Sequence, residues 1–289
     1  MSQNIFVTGT NSGFGRLITH TLAKKGHTVF ATMRDIAGRN AAAAEELTKA
    51  EGGRVHVLEM AATDDASVNK AVAAALEKAG HLDVVVNNAG YGSLGLEETL
   101  TSEELLRQYD VNVVGPHRVL RAALPSMRAR GKGLVLQVSS ALGRLVFPVL
   151  GAYGSSKFAL EALSEAYRYE LKPTGVELTI VQPGAFPTDF GQKIAVGGDQ
   201  ERAQGYGPFA NAVEMMNKTF EQMLTGDHVP SPQLVADAVL ALVESPAGTR
   251  PARVVVDPMQ GQAAEGLNKA HADVQKALLT GMGMGNLAD

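Results

Sequence analysis

Seven short apolar runs alternate along this chain with stretches of helical periodicity, and nothing else in the sequence restricts its folding as much. The runs are Asn4–Thr8, Thr28–Thr32, Val55–Met60, Val84–Asn87, Leu134–Ser139, Val176–Val181 and Arg253–Val256. They are too short for helices, often rich in β-branched residues, and several lack polar alternation, the pattern of strands buried on both faces. Between them the spacing predicts helices over Gly13–Lys25, Ala41–Ala50, Asp65–Ala79, Ser102–Arg130, Tyr153–Lys172 and Pro232–Glu244. Thr63 and Asp64 read as an N-terminal cap for the third helix, and Pro173 to Gly175 as the stop of the fifth. Such repetition requires right-handed crossovers. The expected fold is therefore α/β, a parallel, doubly wound sheet of about seven strands with helices on both faces.

The alternation reaches residue 256 without a linker, so residues 1–289 are expected to form a single domain. One insertion, 186–230, is rich in Gly and Pro. Within it Phe209, Val213, Met216, Phe220 and Met223 fall at helical spacing, which suits a lid over a substrate at the carboxyl ends of the strands. The glycine-studded tail, 280–289, is expected to be flexible.

Composition narrows the function. The chain has no cysteine, which excludes disulfides, thiolate nucleophiles and cysteine-ligated zinc. Its seven histidines are scattered without metal-ligand spacing, so no metal is expected. The net charge is −4 and the basic residues are dispersed, which gives nucleic acid no electrostatic footing. No segment approaches the ~20 apolar residues that span a bilayer. The opening residues carry no basic-then-apolar leader either, so no membrane partner and a cytoplasmic location are expected.

The first strand runs into Thr8, Gly9, Thr10, Asn11, Ser12, Gly13, Phe14 and Gly15, and then into a helix. Glycines let backbone approach a pyrophosphate, and the helix N-terminus adds amide donors and a positive dipole end. The spacing is Gly-x-x-x-Gly-x-Gly. With Asn87, Asn88, Ala89 and Gly90 closing the fourth strand, it makes the chain resemble the short-chain dehydrogenase/reductase family. Through Ala31, Thr32, Met33, Arg34 and Asp35 the chain is similar to the branch that holds 17β-hydroxysteroid and retinol dehydrogenases.

The resemblance implies a Rossmann fold and a nicotinamide cofactor lined by Gly9, Asn11, Ser12, Gly13, Phe14, Gly15, Asn88, Ala89 and Gly90. It also implies that Pro183, Gly184 and Thr188 meet the nicotinamide end, Thr188 holding the carboxamide. At the second strand two residues compete. Asp35, twenty positions past Gly15, suits a ribose 2′-hydroxyl and NAD(H). Arg34 suits a 2′-phosphate and NADP(H). The strand tip is Met33, with no carboxylate to repel a phosphate, so NADP(H) is favoured and NAD(H) is the alternative. The family usually carries an aspartate after the third strand to meet adenine, and here that position is Ala61. Either backbone groups replace it or cofactor binding is weakened.

Tyr153 and Lys157 lie four apart at a helix start and therefore share one face. Ser140 ends the fifth strand thirteen residues earlier. Interconverting a carbonyl and an alcohol by hydride transfer requires a proton donor or acceptor on the reacting oxygen. A free tyrosine has a pKa of about 10, and a lysine ammonium at ~4 Å offers about 4 kcal/mol toward the phenolate at an effective dielectric near 20. Tyr153 is accordingly read as general acid/base and Lys157 as its electrostatic activator, which by resemblance also binds ribose. Ser140 is read as donor to the substrate oxygen, and by resemblance Asn112 holds a water in a relay with Lys157.

Tyr153 and Lys157 both survive, which argues against the other reading, an NADP(H)-binding sensor without turnover. A nucleotide-sugar epimerase or dehydratase would want a larger C-terminal domain than follows Val256. Leu94, Leu96, Ala141, Phe147, Val149, Phe186, Phe190 and Tyr206 are candidate pocket walls. Their apolar character points to an apolar small-molecule ketone, aldehyde or alcohol. The family resemblance implies a homodimer or homotetramer through the helices 102–130 and 153–172, where Ala152, Ala159, Ala162 and Ala166 offer a small-residue surface.

Overall fold

A computed structural model describes residues 2–189, 194–226 and 229–288. In chain order the strands are β1 (Asn4–Thr8), β2 (Thr28–Met33), β3 (Val55–Glu59), β4 (Val84–Asn87), β5 (Ser93–Leu94), β6 (Gly133–Val138), β7 (Val176–Pro183), β8 (Ala195–Val196) and β9 (Arg253–Val256). Seven of them form one sheet in the order β3-β2-β1-β4-β6-β7-β9, while β5 and β8 pair apart. Every pairing is parallel, as in Ile5 opposite Val84 and Leu134 opposite Glu177. The chain winds outward from β1 through β2 to β3, then returns to β4 and winds the other way. The crevice between β1 and β4 is thus the topological switch point, where ligands bind in open α/β sheets.

The helices are α1 (Gly13–Lys24), α2 (Ala41–Lys49), α3 (Asp65–Ala79), α4 (Ser102–Tyr109), α5 (Gly115–Arg130), α6 (Gly151–Leu171), α7 (Ala212–Met223), α8 (Gln233–Glu244) and α9 (Gly261–Gly281). The sheet's two faces explain the unbroken apolar runs. Ile5, Val7, Val84, Val86, Leu134 and Leu136 pack with Ile18 and Leu22 of α1 and with Val235 and Val239 of α8. Their neighbours Phe6, Val85 and Val135 face the other way, onto Val72 of α3 and Val119, Leu120 and Met127 of α5. Period-two alternation is therefore present, but both sides are apolar.

Asp64 caps α3 as its sequence suggested, its carboxylate accepting from the Ala66 N–H at 2.9 Å. One expectation needs correction. The stretch 102–130 is not one α-helix: a five-residue π-helical segment, Asp110–Val114, separates α4 from α5. Pro116 contributes, because it has no N–H to donate to the Asn112 carbonyl four residues back. α9 is a helix that apolar periodicity did not announce. It buries only Gly261, Ala264 and Leu279, while Leu267, Val274 and Leu278 stay exposed. On α6, Phe158, Ala162 and Ala166 are also exposed. Among the described residues no helix is long and apolar enough to cross a membrane.

Candidate active site

The switch point is built from strand ends. Gly9 and Thr10 both donate their N–H groups to the Thr32 carbonyl, at 3.0 and 3.1 Å. Thr8 Oγ1 accepts from the backbone N–H of Asn88 at 3.0 Å and of Ala89 at 2.9 Å. Asn88 returns the bond, its amide donating to the carbonyls of Thr8 at 2.9 Å and Gly9 at 3.1 Å. The loop after β1 is thereby locked to the loop after β4. Gly9 has φ +71°, and a Cβ on it would stand 2.8 Å from the Ala89 Cα. A Cβ on Gly15 would overlap the Gly9 carbonyl and the Asn88 amide. The loop can close this tightly only with glycine at both positions.

Ser12 precedes α1, Asn11 donates to Asn40 Oδ1 at 3.2 Å, and Phe14 meets Phe186 edge-on with centroids 5.6 Å apart. Pro183 ends β7, and the Gly184 N–H donates to the Val256 carbonyl at 3.0 Å. Thr188 lies beside the loop, its Cβ 3.8 Å from where a Cβ on Gly13 would sit. The Ala61 N–H donates to Ser67 Oγ at 2.9 Å, so at the position where the family carries its adenine-binding acid the backbone turns to the start of α3.

The two candidate residues after β2 are placed differently. Asp35 adopts φ +52°, and its carboxylate accepts from the Arg39 N–H at 3.0 Å, so it serves its own turn. The exposed Arg34 side chain has no hydrogen-bond or ion-pair partner among the described residues. Its backbone carbonyl is held by Asn40 at 2.5 Å.

Ser140, Tyr153 and Lys157 converge at the carboxyl end of β6. Ser140 begins a turn in which its Oγ accepts from the Leu142 N–H at 3.1 Å, and it hydrogen-bonds the Tyr153 hydroxyl. Tyr153 and Lys157 are buried, at 9% and 5% exposure. Lys157 Nζ donates to the Val138 carbonyl at 3.0 Å and stands 5.8 Å from the Tyr153 ring centroid.

The electrostatics differ from the sequence reading. Burial pushes Tyr153 up to about 12, with the Ser140 bond opposing, and Lys157 is brought down to about 8 by burial, with the Glu161 carboxylate opposing. The ammonium stands 5.8 Å from the ring centroid, and its attraction for a phenolate would act against burial. Desolvation is the larger effect, which favours the neutral phenol.

Asn112 sits within the π-helical segment and is 1% exposed. Its side-chain amide donates to the Tyr91 carbonyl at 2.9 Å and Ser156 Oγ at 3.0 Å, and its Oδ1 accepts from the Tyr91 N–H at 3.1 Å. The side chain is therefore committed to protein. A Cβ on Gly90 would fall 3.2 Å from Asn112 Oδ1 and 3.7 Å from Lys157 Nζ, which sets Gly90 against both.

The pocket candidates divide. Leu94, Leu96, Val149, Leu150 and Ala212 form a small core against which Val213, Met216 and Phe220 of α7 pack. Val149 is strained, a β-branched residue at φ +60°. Ala141 is buried beside Ser140, Phe186 belongs to the main core, and Phe147 and Tyr206 are about 40% exposed. Phe190 lies outside the described residues, as do parts of the insertion at 190–193 and 227–228.

Sequence reasoning missed Glu97 and Glu98, adjacent carboxylates that hold different elements. Glu97 accepts from the Gly151 N–H at 2.7 Å and caps α6, whose own cap residue, Leu150, has no side chain to do so. Glu98 accepts from Arg202 at 2.8 Å and from the Tyr206 hydroxyl at 3.0 Å. No local signal marks either role, because the partners lie 54 or more residues away.

A glycine-cradled switch point beside a Ser–Tyr–Lys set defines a dinucleotide-dependent oxidoreductase. Residues 3–197 match the family model described as short chain dehydrogenase, and the chain belongs to that family. It is 36% identical over 188 residues to a 3-ketodihydrosphingosine reductase of Bacteroides thetaiotaomicron, a match covering 65% of each chain. Human 17-beta-hydroxysteroid dehydrogenase type 1 is 39% identical over 197 residues, 66% of this chain and 58% of that one. Both matches thus span less than two thirds of the relative's length. A short-chain dehydrogenase from Streptomyces avermitilis superposes with a TM-score of 0.77 at 33% identity, covering 97% of this chain and 96% of that one.

Proposed function

We propose that this chain reduces the carbonyl of an apolar ketone or aldehyde to an alcohol at the expense of NADPH, with Tyr153 as the proton donor. The observation that carries this reading is a buried, neutral Tyr153 hydrogen-bonded to Ser140 and flanked by Lys157. NADPH, when bound, supplies the hydride. The glycine loop fits such a ligand at Gly13, where an added Cβ would meet only the Thr188 Cβ, at 3.8 Å, so backbone is open ahead of α1. Gly9, Asn11, Ser12, Gly13, Phe14 and Gly15 would hold the pyrophosphate side, Asn88, Ala89 and Gly90 the ribose side, and Pro183, Gly184 and Thr188 the nicotinamide.

As the carbonyl carbon gains hydride, its oxygen becomes an alkoxide and takes the phenolic proton of Tyr153. An alkoxide is a far stronger base than a phenolate, so transfer is favourable even from a phenol raised to about 12. The Ser140 hydroxyl accepts from Leu142 and is hydrogen-bonded to Tyr153, and its single proton would turn to the reacting oxygen when substrate binds. The Lys157 ammonium then stabilises the phenolate. Asn112 would hold a water that, in a relay with Lys157, returns a proton to Tyr153; Pro116 leaves the Asn112 main-chain carbonyl without an i+4 donor and so able to accept from such a water. The apolar substrate is read from relatives named for a steroid and for a sphingoid ketone.

Cofactor choice rests on Arg34, read as the 2′-phosphate ligand. Removing such a charge-assisted contact, worth about 1.5–3 kcal/mol, should weaken NADPH by roughly 10- to 150-fold in Arg34→Ala and leave NADH nearly unchanged. Fluorescence titration of both cofactors, together with NADPH oxidation against a series of apolar ketones, tests the proposal. A wild type that binds NADH more tightly than NADPH, or turns over none of the ketones, contradicts it.

A further inference from the structure

Behind the reacting groups lies a buried polar cluster that the proposed chemistry does not use. Glu161 and Glu165 project from α6 below Lys157. Arg253 of β9 takes both of them, Nε to Glu161 at 2.8 Å and Nη2 to Glu165 at 2.7 Å. Gln182 of β7 donates to Glu161 at 2.8 Å, and His271 of α9 pairs with Glu165 at 2.8 Å. Each carboxylate is thus satisfied without any help from the active-site side.

Into this cluster reaches Arg144, the residue that closes the turn begun by Ser140. The turn is tight: the Gly143 N–H donates to the Ser140 carbonyl at 2.9 Å and the Arg144 N–H to the Ala141 carbonyl at 3.0 Å. At Gly143 there is no room for a side chain, since a Cβ would lie 2.8 Å from both the Glu161 Cγ and Ser139 Oγ. The Arg144 side chain turns inward and is 13% exposed. It stands 3.8 Å from Glu161 and 4.0 Å from Glu165, beyond hydrogen-bond reach, because Arg253 already occupies those oxygens.

Its one side-chain hydrogen bond among the described residues runs from Nε to Asn268 Oδ1 on α9, at 3.1 Å. Asn268 is fixed in turn by donating to Gln182 Oε1 at 2.6 Å. A guanidinium withdrawn from water is stable only when hydrogen-bonded in place. Arg144 Nη2 is buried with no hydrogen-bond partner, so Asn268 supplies the bond that holds the side chain, and with it the end of the Ser140 turn, in this position.

We infer that Arg144 and Asn268 are positioning residues: the C-terminal helix clamps the Ser140 turn against α6 and β7, and so holds the Ser140 hydroxyl on the Tyr153 and substrate oxygens. The inference rests on the role given to Ser140 above. Both side chains act through Ser140 and touch neither substrate nor cofactor.

The test is a double-mutant cycle on kcat with NADPH and a ketone substrate, using Ser140→Ala, Arg144→Met and their combination. Arg144→Met should lower kcat by about 5- to 20-fold, with KM and the NADPH Kd within about two-fold of wild type. In that background Ser140→Ala should cost less than about two-fold more, because its aim is already lost. Asn268→Ala, a milder change, should repeat the kcat loss, and Asn268→Asp, which keeps an oxygen for Arg144 Nε, should recover most of it. An intact NADPH Kd reports that each variant is folded. Additive losses in the cycle, or an unchanged kcat in Asn268→Ala, overturn the clamp alone. A silent Ser140→Ala overturns the proposed function and the clamp together.

Discussion

The glycine loop and the 195–211 segment are held in place by opposite means. The loop rests on buried strand ends, where Thr8 Oγ1, the Thr32 carbonyl and the Asn88 amide fix it with bonds of 2.9 to 3.1 Å. In the 195–211 segment, beside the Asp199 N–H bond to the Thr99 carbonyl at 2.9 Å, the side-chain ties are made by exposed groups. Arg202 and Tyr206 grip Glu98, the Gly198 N–H donates to Glu104 at 3.1 Å, and β8 pairs with β5 over two residues. A buried bond resists exchange with water, whereas an exposed ion pair is worth little and is screened by salt. The first region suits a ligand whose shape never changes. The second suits one that must enter and leave.

A substitution that forces the two regions to behave alike breaks this comparison. Gly15→Ala should have the larger effect, because its Cβ overlaps the Gly9 carbonyl, a backbone atom that cannot move aside. A displacement of ~1 Å in such a loop should weaken NADPH by at least about 10²-fold, read by fluorescence titration with thermal unfolding as a control. An unchanged Kd would mean that the loop is as compliant as the 195–211 segment. Glu98→Gln should do much less. Exposed pairs of this kind are worth about 0.2–1 kcal/mol, so KM for the ketone should rise by about two- to five-fold while the NADPH Kd stays constant. In high salt wild type and variant should converge, since screening already removes the pair. A loss of cofactor affinity in that variant would show that the two regions are mechanically one.

The same contrast governs what the sequence disclosed. Local patterns carried the loop: a strand, three glycines at fixed spacing and a helix lie within residues 4–24. They also carried Tyr153 and Lys157, which one helical turn brings onto a shared face. Asp64 was legible for the same reason, its partner lying two residues away. What was hidden depends on distant pairing. Glu97 serves Gly151 across 54 residues, and Arg144 meets Asn268 across 124. The C-terminal helix was hidden because so little of it is buried that its periodicity is diffuse. Tyr153 shows the limit of a pairwise estimate: Lys157 sits where the spacing placed it, but burial, which no sequence reveals, dominates the ionisation.

The account stands on Tyr153 as the proton donor, and Tyr153→Phe addresses it most directly. The ring is retained and only the hydroxyl is lost. Turnover of a ketone with NADPH should fall by at least about 10²-fold, while the NADPH Kd and the melting temperature stay close to wild type. Near-normal turnover in that variant would contradict the assignment.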